Sequence, residues 1–190
     1  MGQARRDEAA AGHTGSTGWR LNTLSRLSTP LHLRGAVALV TGASSGIGAA
    51  TAVRLADAGA RLILHGQDGP RLAAMAERTG GVPLPADFSG PASLLAAVEQ
   101  ARHHPGGVDV LVNNAGIGWA GQLGEMTGEQ VRRLVAVNLL APLELTRALA
   151  PGMVAKGRGH IVFVTSIAGR SGVAGEAVYA ATKAGLDAFA

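Results

Sequence analysis

Apolar residues along this chain fall into two alternating rhythms. Four short runs are apolar nearly throughout: "AVALVTG" from Ala36, "RLILHG" from Arg61, "VDVLVNNAG" from Val108 and "GHIVFVTS" from Gly159. A fifth, "VPLPADF" from Val82, is weakened as a strand by its prolines. Between them, apolar positions recur at helical spacing. These stretches are "IGAATAVRLADAG", stopped by Gly59, then "PRLAAMAERTG", and "PASLLAAVEQARHH", opened by Pro91. A long helix follows, with Thr127 and Gln130 spaced as a capping box, and another begins near Ala177. A strand that is apolar on both faces must be covered on both, which requires a parallel sheet between helical layers. Right-handed crossovers then make the sheet doubly wound. The predicted fold is α/β, a single domain of five parallel strands over residues 35–190, with no internal repeat and no second domain.

Residues 1–34 lack either rhythm and are rich in Gly, Ser, Thr and Arg, so they read as a flexible N-terminal extension. Arg5 and Arg6 are followed by Asp7 and Glu8, not by an apolar segment, which argues against a secretory or twin-arginine signal. No apolar run approaches the ~18–20 residues that cross a bilayer, so a cytoplasmic protein without a membrane role is expected. Cysteine is absent, which excludes disulfides, thiol nucleophiles and cysteine metal sites, and no other metal site is predicted. The formal charge of +4 does not imply nucleic acid. Five arginines against two acids put most of that charge in residues 1–34, and twelve basic against eleven acidic groups leave the body nearly neutral.

The chemistry begins at Thr41-Gly42-Ala43-Ser44-Ser45-Gly46-Ile47-Gly48, between the first strand and the first helix. A backbone that must turn tightly and approach a pyrophosphate at a helix N-terminus needs glycine there. Strand, turn and helix occur in the required order, so nucleotide binding is the expected role. With three residues between the first two glycines, this turn resembles that of the short-chain dehydrogenases/reductases. Further motifs agree in order: Asn113-Asn114-Ala115-Gly116 closing the fourth strand, Asn138 in the long helix, Ser166 ending the fifth strand, then Tyr179 and Lys183. The resemblance covers roughly residues 35–190.

Positions four apart share a helix face, so Tyr179 and Lys183 should point into one cleft. A free phenol ionises near pH 10, too high for ready proton transfer at neutrality. A cation about 5 Å away is worth roughly 3 kcal/mol at an effective dielectric near 20, which brings a phenol toward the working range. The resemblance implies a carbonyl–alcohol oxidoreductase acting on a small molecule. In it Tyr179 exchanges the proton, Lys183 also holds the nicotinamide ribose, Ser166 orients the reacting oxygen, and Asn138 props a water beside Lys183. It further implies cofactor contacts from Gly42, Ser44, Ser45, Gly46, Ile47, Gly48, Asn114, Ala115 and Gly116, with Asp87 at the adenine, and a homo-oligomer built on the last two helices. The acid that binds a ribose 2′-hydroxyl in NAD users should end the second strand. Gly66 and Gln67 stand there and Asp68 comes late, which favours NADP over NAD. Trp119, with Arg170 and Glu176 at the rim, is expected to line a largely apolar mouth for an uncharged carbonyl.

Family members continue past the Tyr-Lys helix with two more strands and a substrate loop. Compared with them, the last strands are missing here. The fifth strand is therefore expected to be a long apolar edge, with Lys183 near a fraying helix end. The alternative to an oxidoreductase is a truncated fragment that binds nucleotide without turnover.

Overall fold

The computed structural model describes residues 32–190. The expected extension lies almost wholly outside the described residues. Its last positions belong to the body: Leu33 packs against the core, and its carbonyl accepts from the Ala36 N–H at 3.0 Å.

Five parallel strands form one sheet in the order β3-β2-β1-β4-β5: β1 (Val37–Val40), β2 (Arg61–Gly66), β3 (Val82–Pro85), β4 (Val110–Asn113) and β5 (His160–Phe163). The helices are α1 (Gly46–Asp57), α2 (Gly69–Thr79), α3 (Pro91–Arg102), α4 (Gly128–Val135), α5 (Ala141–Ala155) and α6 (Ala177–Phe189). Successive residues of a strand face opposite layers, and the core divides accordingly. Val37, Leu39, Ile63 and Leu111 pack under α3 and α5. Ala38, Val40, Leu62, Leu64, Val110 and Val112 pack against Ala52 of α1 and Leu72 of α2. Both faces are covered, as continuous apolar strands require. The order reverses between β1 and β4, and a crevice opens there at the C-terminal strand ends.

Pro83 and Pro85 are accommodated because β3 is an edge strand that pairs only with β2. The other edge is shorter than expected. β5 spans four residues, and its exposure alternates, with His160 and Val162 open and Ile161 and Phe163 half-buried. The capping box at Thr127 and Gln130 forms, with both reciprocal bonds present. The helix it opens is interrupted by a π turn, Ala136–Leu140, before α5. Together these run without a break over Gly128–Ala155, 28 residues with mean hydropathy 1.3 in their most apolar window. That is long and apolar enough to cross a membrane by length and composition alone, contrary to the expectation from runs of apolar residues. Here the apolar stripe, Ala141, Leu145, Leu149 and Met153, is spent on the sheet.

Candidate active site

The first strand hands over to α1 through a turn that needs glycine for two separate reasons. Gly42 and Gly46 have φ of 66° and 55°, in the left-handed region that side chains disfavour. Gly48 is required by space, because a Cβ there would stand 2.2 Å from Gly42 O. Ser45 caps α1 without a side-chain hydrogen bond, so the N–H groups of the first turn keep their positive end open. Gly42, Ser44, Ser45 and the exposed Ile47 form one side of a cavity of about 390 Å³.

Thr41 locks this turn to the end of β4. Its buried Oγ1 donates to Val112 O at 3.2 Å and accepts from the N–H groups of Asn114 and Ala115, both at 2.9 Å. Asn114 answers with its amide, donating to Thr41 O at 2.8 Å and Gly42 O at 3.3 Å. Asn114, Ala115 and Gly116 form the floor of the cavity, whereas Asn113 turns under α5 and donates to Thr146 Oγ1 at 3.5 Å. The remaining wall comes from the ends of β2 and β3: His65, Gly66, Gln67, Asp68 and Phe88. Gln67 reaches the cavity and donates to the Asp87 carboxylate. Asp87 itself is turned onto Ser89, whose hydroxyl and N–H hold its carboxyl below the usual range against the opposing effect of burial. It is Phe88, its neighbour, that lines the cavity. Arg71 is paired with Asp68 at 3.2 Å, and Arg61 donates to Gly35 O at the far end of the sheet. Among the described residues, no lysine or arginine lines this cavity.

The second half of the site is carried by α6. Tyr179 and Lys183 do share a face, with Lys183 Nζ 5.9 Å from the phenol ring centroid. Lys183 is not at a fraying end. It sits within α6, 4% exposed, and donates to Val164 O at 2.8 Å. Burial lowers its ammonium below the ordinary lysine range, and the Asp187 carboxylate opposes that shift. Two residues beyond Val164, Ser166 starts a short 3-10 turn, Ile167–Gly169, and its Oγ accepts from Ala168 N–H at 3.2 Å. This turn packs tightly on α6, since a Cβ on Gly169 would stand 2.8 Å from Lys183 C.

Asn138 lies in the π turn, fully buried. Its Oδ1 accepts from Ile117 N–H at 2.8 Å, and its Nδ2 donates to Ile117 O at 2.9 Å and Thr182 Oγ1 at 3.3 Å. Both amide hydrogens are thereby engaged, so the side chain ties the loop after β4 to α6 and leaves no donor for a water. Thr182 in turn donates to Tyr179 O at 2.7 Å. The space above Gly116 joins the two halves: a Cβ there would be 3.5 Å from Asn138 Oδ1 and 3.6 Å from Lys183 Nζ.

Sequence reasoning passed over Thr41, His65, Phe88 and Thr182 as site residues. A buried polar residue at a strand end, as Thr41 and His65 are, was the signal available. Trp119 lines a second cavity, of about 430 Å³, with Leu123, Glu125 and Ala177. Arg170 is not on its rim, because its guanidinium lies 3.5 Å from Asp187 on the other side of the 3-10 turn.

The family model for short chain dehydrogenases matches residues 36–190. The chain is 34% identical over 175 residues to dehydrogenase/reductase SDR family member 7B of Mus musculus, covering 87% of this chain and 54% of that protein. It is 39% identical over 161 residues to the 3-oxoacyl-[acyl-carrier-protein] reductase FabG of Vibrio cholerae, covering 84% of this chain and 66% of that one. A crystal structure of a metagenomic short-chain oxidoreductase in complex with NADP superposes with a TM-score of 0.78 at 43% identity, over 83% of this chain and 74% of the other. The chain thus spans between about half and two thirds of the length of these curated relatives.

Proposed function

The chain belongs to the short-chain dehydrogenase/reductase family, and from that footing we propose that the whole protein is an oxidoreductase interconverting a carbonyl and an alcohol. One observation carries the reading: Tyr179 and Lys183 face each other on α6, and the lysine is anchored on the strand end that leads to Ser166.

The residues present fit a dinucleotide. The open first turn of α1, with nothing within 4 Å of the Gly46 Cβ position, and the close packing of Gly48 on Gly42 O that shapes the turn, suit a diphosphate. Gly42, Ser44, Ser45, Gly46, Ile47 and Gly48 would hold it, with Asn114, Ala115 and Gly116 beneath and Gln67 toward the adenosine end. We favour NADP over NAD. The absence of an acid at Gly66 supports this, as does the NADP bound by a relative 43% identical. The hydroxyls of Ser44 and Ser45 and the amide of Gln67 would meet a 2′-phosphate.

When bound, the nicotinamide supplies or accepts the hydride. Tyr179 then gives its phenolic proton to the carbonyl oxygen, or takes one from the alcohol, with the ammonium of Lys183 5.9 Å from its ring centroid. Ser166 Oγ already accepts from Ala168 N–H, which leaves its own proton to donate to the reacting oxygen. Asn138 holds the loop that carries Ile117, a residue lining the cofactor cavity, against α6. Trp119 and Leu123 give the mouth an apolar wall, and Glu125 adds negative charge, so the favoured substrate is a neutral or weakly polar carbonyl. A cytoplasmic homo-oligomer meeting through the α4–α6 region, where Val135 and Leu140 are exposed, completes the proposal.

Titrating purified protein with NADPH and NADH by nucleotide fluorescence tests the cofactor. Following NADPH consumption with neutral ketones against matched keto acids tests the substrate class. A folded protein that binds neither cofactor, or that prefers the keto acids, overturns the corresponding part.

A further inference from the structure

Among the residues lining the cofactor cavity, His65 has no role in the proposed chemistry, yet it makes more contacts to surrounding chain than a wall residue needs. It is 3% exposed at the end of β2. Its Nδ1 lies 3.3 Å from Gly42 N and its Nε2 3.1 Å from Ala86 O. Its ring stacks on Phe88, with centroids 3.6 Å apart and planes 3° from parallel. A backbone N–H can only donate and a carbonyl can only accept, so these partners select one form: neutral, with the proton on Nε2.

We propose that His65 is a positioning residue for the dinucleotide, whose neutral imidazole pins the first glycine turn to the loop after β3 through Gly42 and Ala86. The inference rests on the nucleotide-binding reading given above. Gly42 has no side chain by which to be held, and its carbonyl is the atom that Asn114 binds and over which Gly48 closes. The Gly42 N–H belongs to the Thr41–Gly42 peptide, whose carbonyl Asn114 also binds at 2.8 Å, so the imidazole fixes the strand-side entry into Gly42 and thereby the start of the pyrophosphate cradle. His65 also holds the next residue, since Ala43 N–H donates to its carbonyl at 2.8 Å. Burial agrees with the neutral form: it pushes the imidazole down to about 4, while the Ala86 hydrogen bond and the Asp87 charge pull the other way.

A matched pair of variants separates positioning from plain packing. In His65→Asn the side-chain oxygen replaces Nδ1 and keeps an acceptor for Gly42. In His65→Gln the amide replaces Nε2 and keeps only the partner of Ala86. Each loses the stack and one hydrogen bond, so their melting temperatures should fall together. Their affinities for NADPH should not. We expect His65→Asn to bind within about twofold of the wild type, and His65→Gln and His65→Phe about five- to tenfold more weakly, as loss of one acceptor implies. Equal weakening of the Asn and Gln variants, or none in the Phe variant, overturns the proposal. If the variants do not fold, imidazole nitrogen NMR of the wild type at neutral pH decides: the Nε2–H tautomer is expected, with Nδ1 responding to added NADPH. An Nδ1–H or cationic ring defeats the idea. A wild-type protein that binds no NADPH defeats the nucleotide-binding reading itself, a result distinct from these.

Discussion

Gly48→Ala adds one methyl group where the cofactor cradle has no room for it. The new Cβ would stand 2.2 Å from Gly42 O, 2.8 Å from Gly42 C and 2.5 Å from Asn114 Nδ2. Carbon and oxygen come no closer than about 3.3 Å even in a C–H···O contact, so roughly 1 Å of movement is needed. Two of the three obstructing atoms are backbone, and the third is an amide held by Thr41 O and Gly42 O. Overpacking costs about 1–3 kcal/mol, and weakening the two Asn114 bonds adds roughly 0.5–1.5 kcal/mol each. A gross loss of roughly 3–4 kcal/mol follows, from which the better helix propensity of alanine returns at most about 1 kcal/mol. A net 2–3 kcal/mol lowers the melting temperature of a domain this size by about 5–10 °C. Gly46→Ala is the control. Nothing lies within 4 Å of its Cβ position, so only the left-handed backbone at φ 55° resists it. That costs about 1–2 kcal/mol and should be relieved in Gly46→Asn. Thermal unfolding by circular dichroism, paired with an NADPH titration, reads both effects, and Gly48→Ala should also bind at least tenfold more weakly. A Gly48→Ala protein that melts within a degree of the wild type and keeps its affinity would show that the turn is looser than this geometry says.

Thr41→Val keeps the shape but leaves the Asn114 and Ala115 N–H groups without their acceptor, and should cost about 2–4 kcal/mol in urea unfolding, with Thr41→Ser largely restoring it. Tyr179→Phe should lower kcat by at least a hundredfold in the active protein while the NADPH dissociation constant stays within about twofold; a residual rate above about one hundredth would remove Tyr179 from proton transfer. Asp109, 6% exposed at the N-terminal end of β4, has its carboxyl raised by burial, but the Val37 N–H, Lys156 and Arg158 outweigh that and hold it below the usual range. Its folded pKa lies below the unfolded value, so its contribution is complete above about pH 4. It is lost as the pH falls through the folded value. Asp109→Asn should therefore cost about 1–3 kcal/mol at pH 7 and progressively less below pH 4, measured as urea midpoints across that range; a constant gap would refute the ionic account.

The fold was legible because its strands are apolar on both faces and its helices are punctuated by Gly59, Gly80, Pro91 and the Thr127 box. Local pattern could not show the π turn. Leu134, Asn138, Ala141 and Leu145 keep helical spacing straight through it, so its extra width leaves no trace in the period. The prolines of β3 looked like a defect until its place at the sheet edge removed the demand for a second hydrogen-bonding partner. In the site, residues set by spacing along one element were readable: the glycines of one turn, and Tyr179 with Lys183 on one helix. Contacts between elements were not. That Gln67 would reach Asp87, that Arg170 would turn to Asp187, and that His65 would span to Gly42 and Ala86 depend on how strand ends line up across the sheet.

Those contacts between elements also bear on how the two halves of the site relate. Ile117 lines the cofactor cavity, and both its backbone groups are bound by the Asn138 amide. The same amide binds Thr182, which binds the carbonyl of Tyr179. A cavity wall and the helix carrying the proposed acid–base group therefore share one buried tie, and a shift of either must be transmitted or absorbed there. Nothing comparable softens the tie, since Asn138 is fully buried and water cannot stand in for a lost bond. The arrangement explains why an asparagine, with a donor and an acceptor fixed in one plane, occupies an otherwise apolar stripe between Val137 and Ala141. An apolar residue there would pack as well, but it would leave the Ile117 N–H and C=O unpaired and cut their link to Thr182.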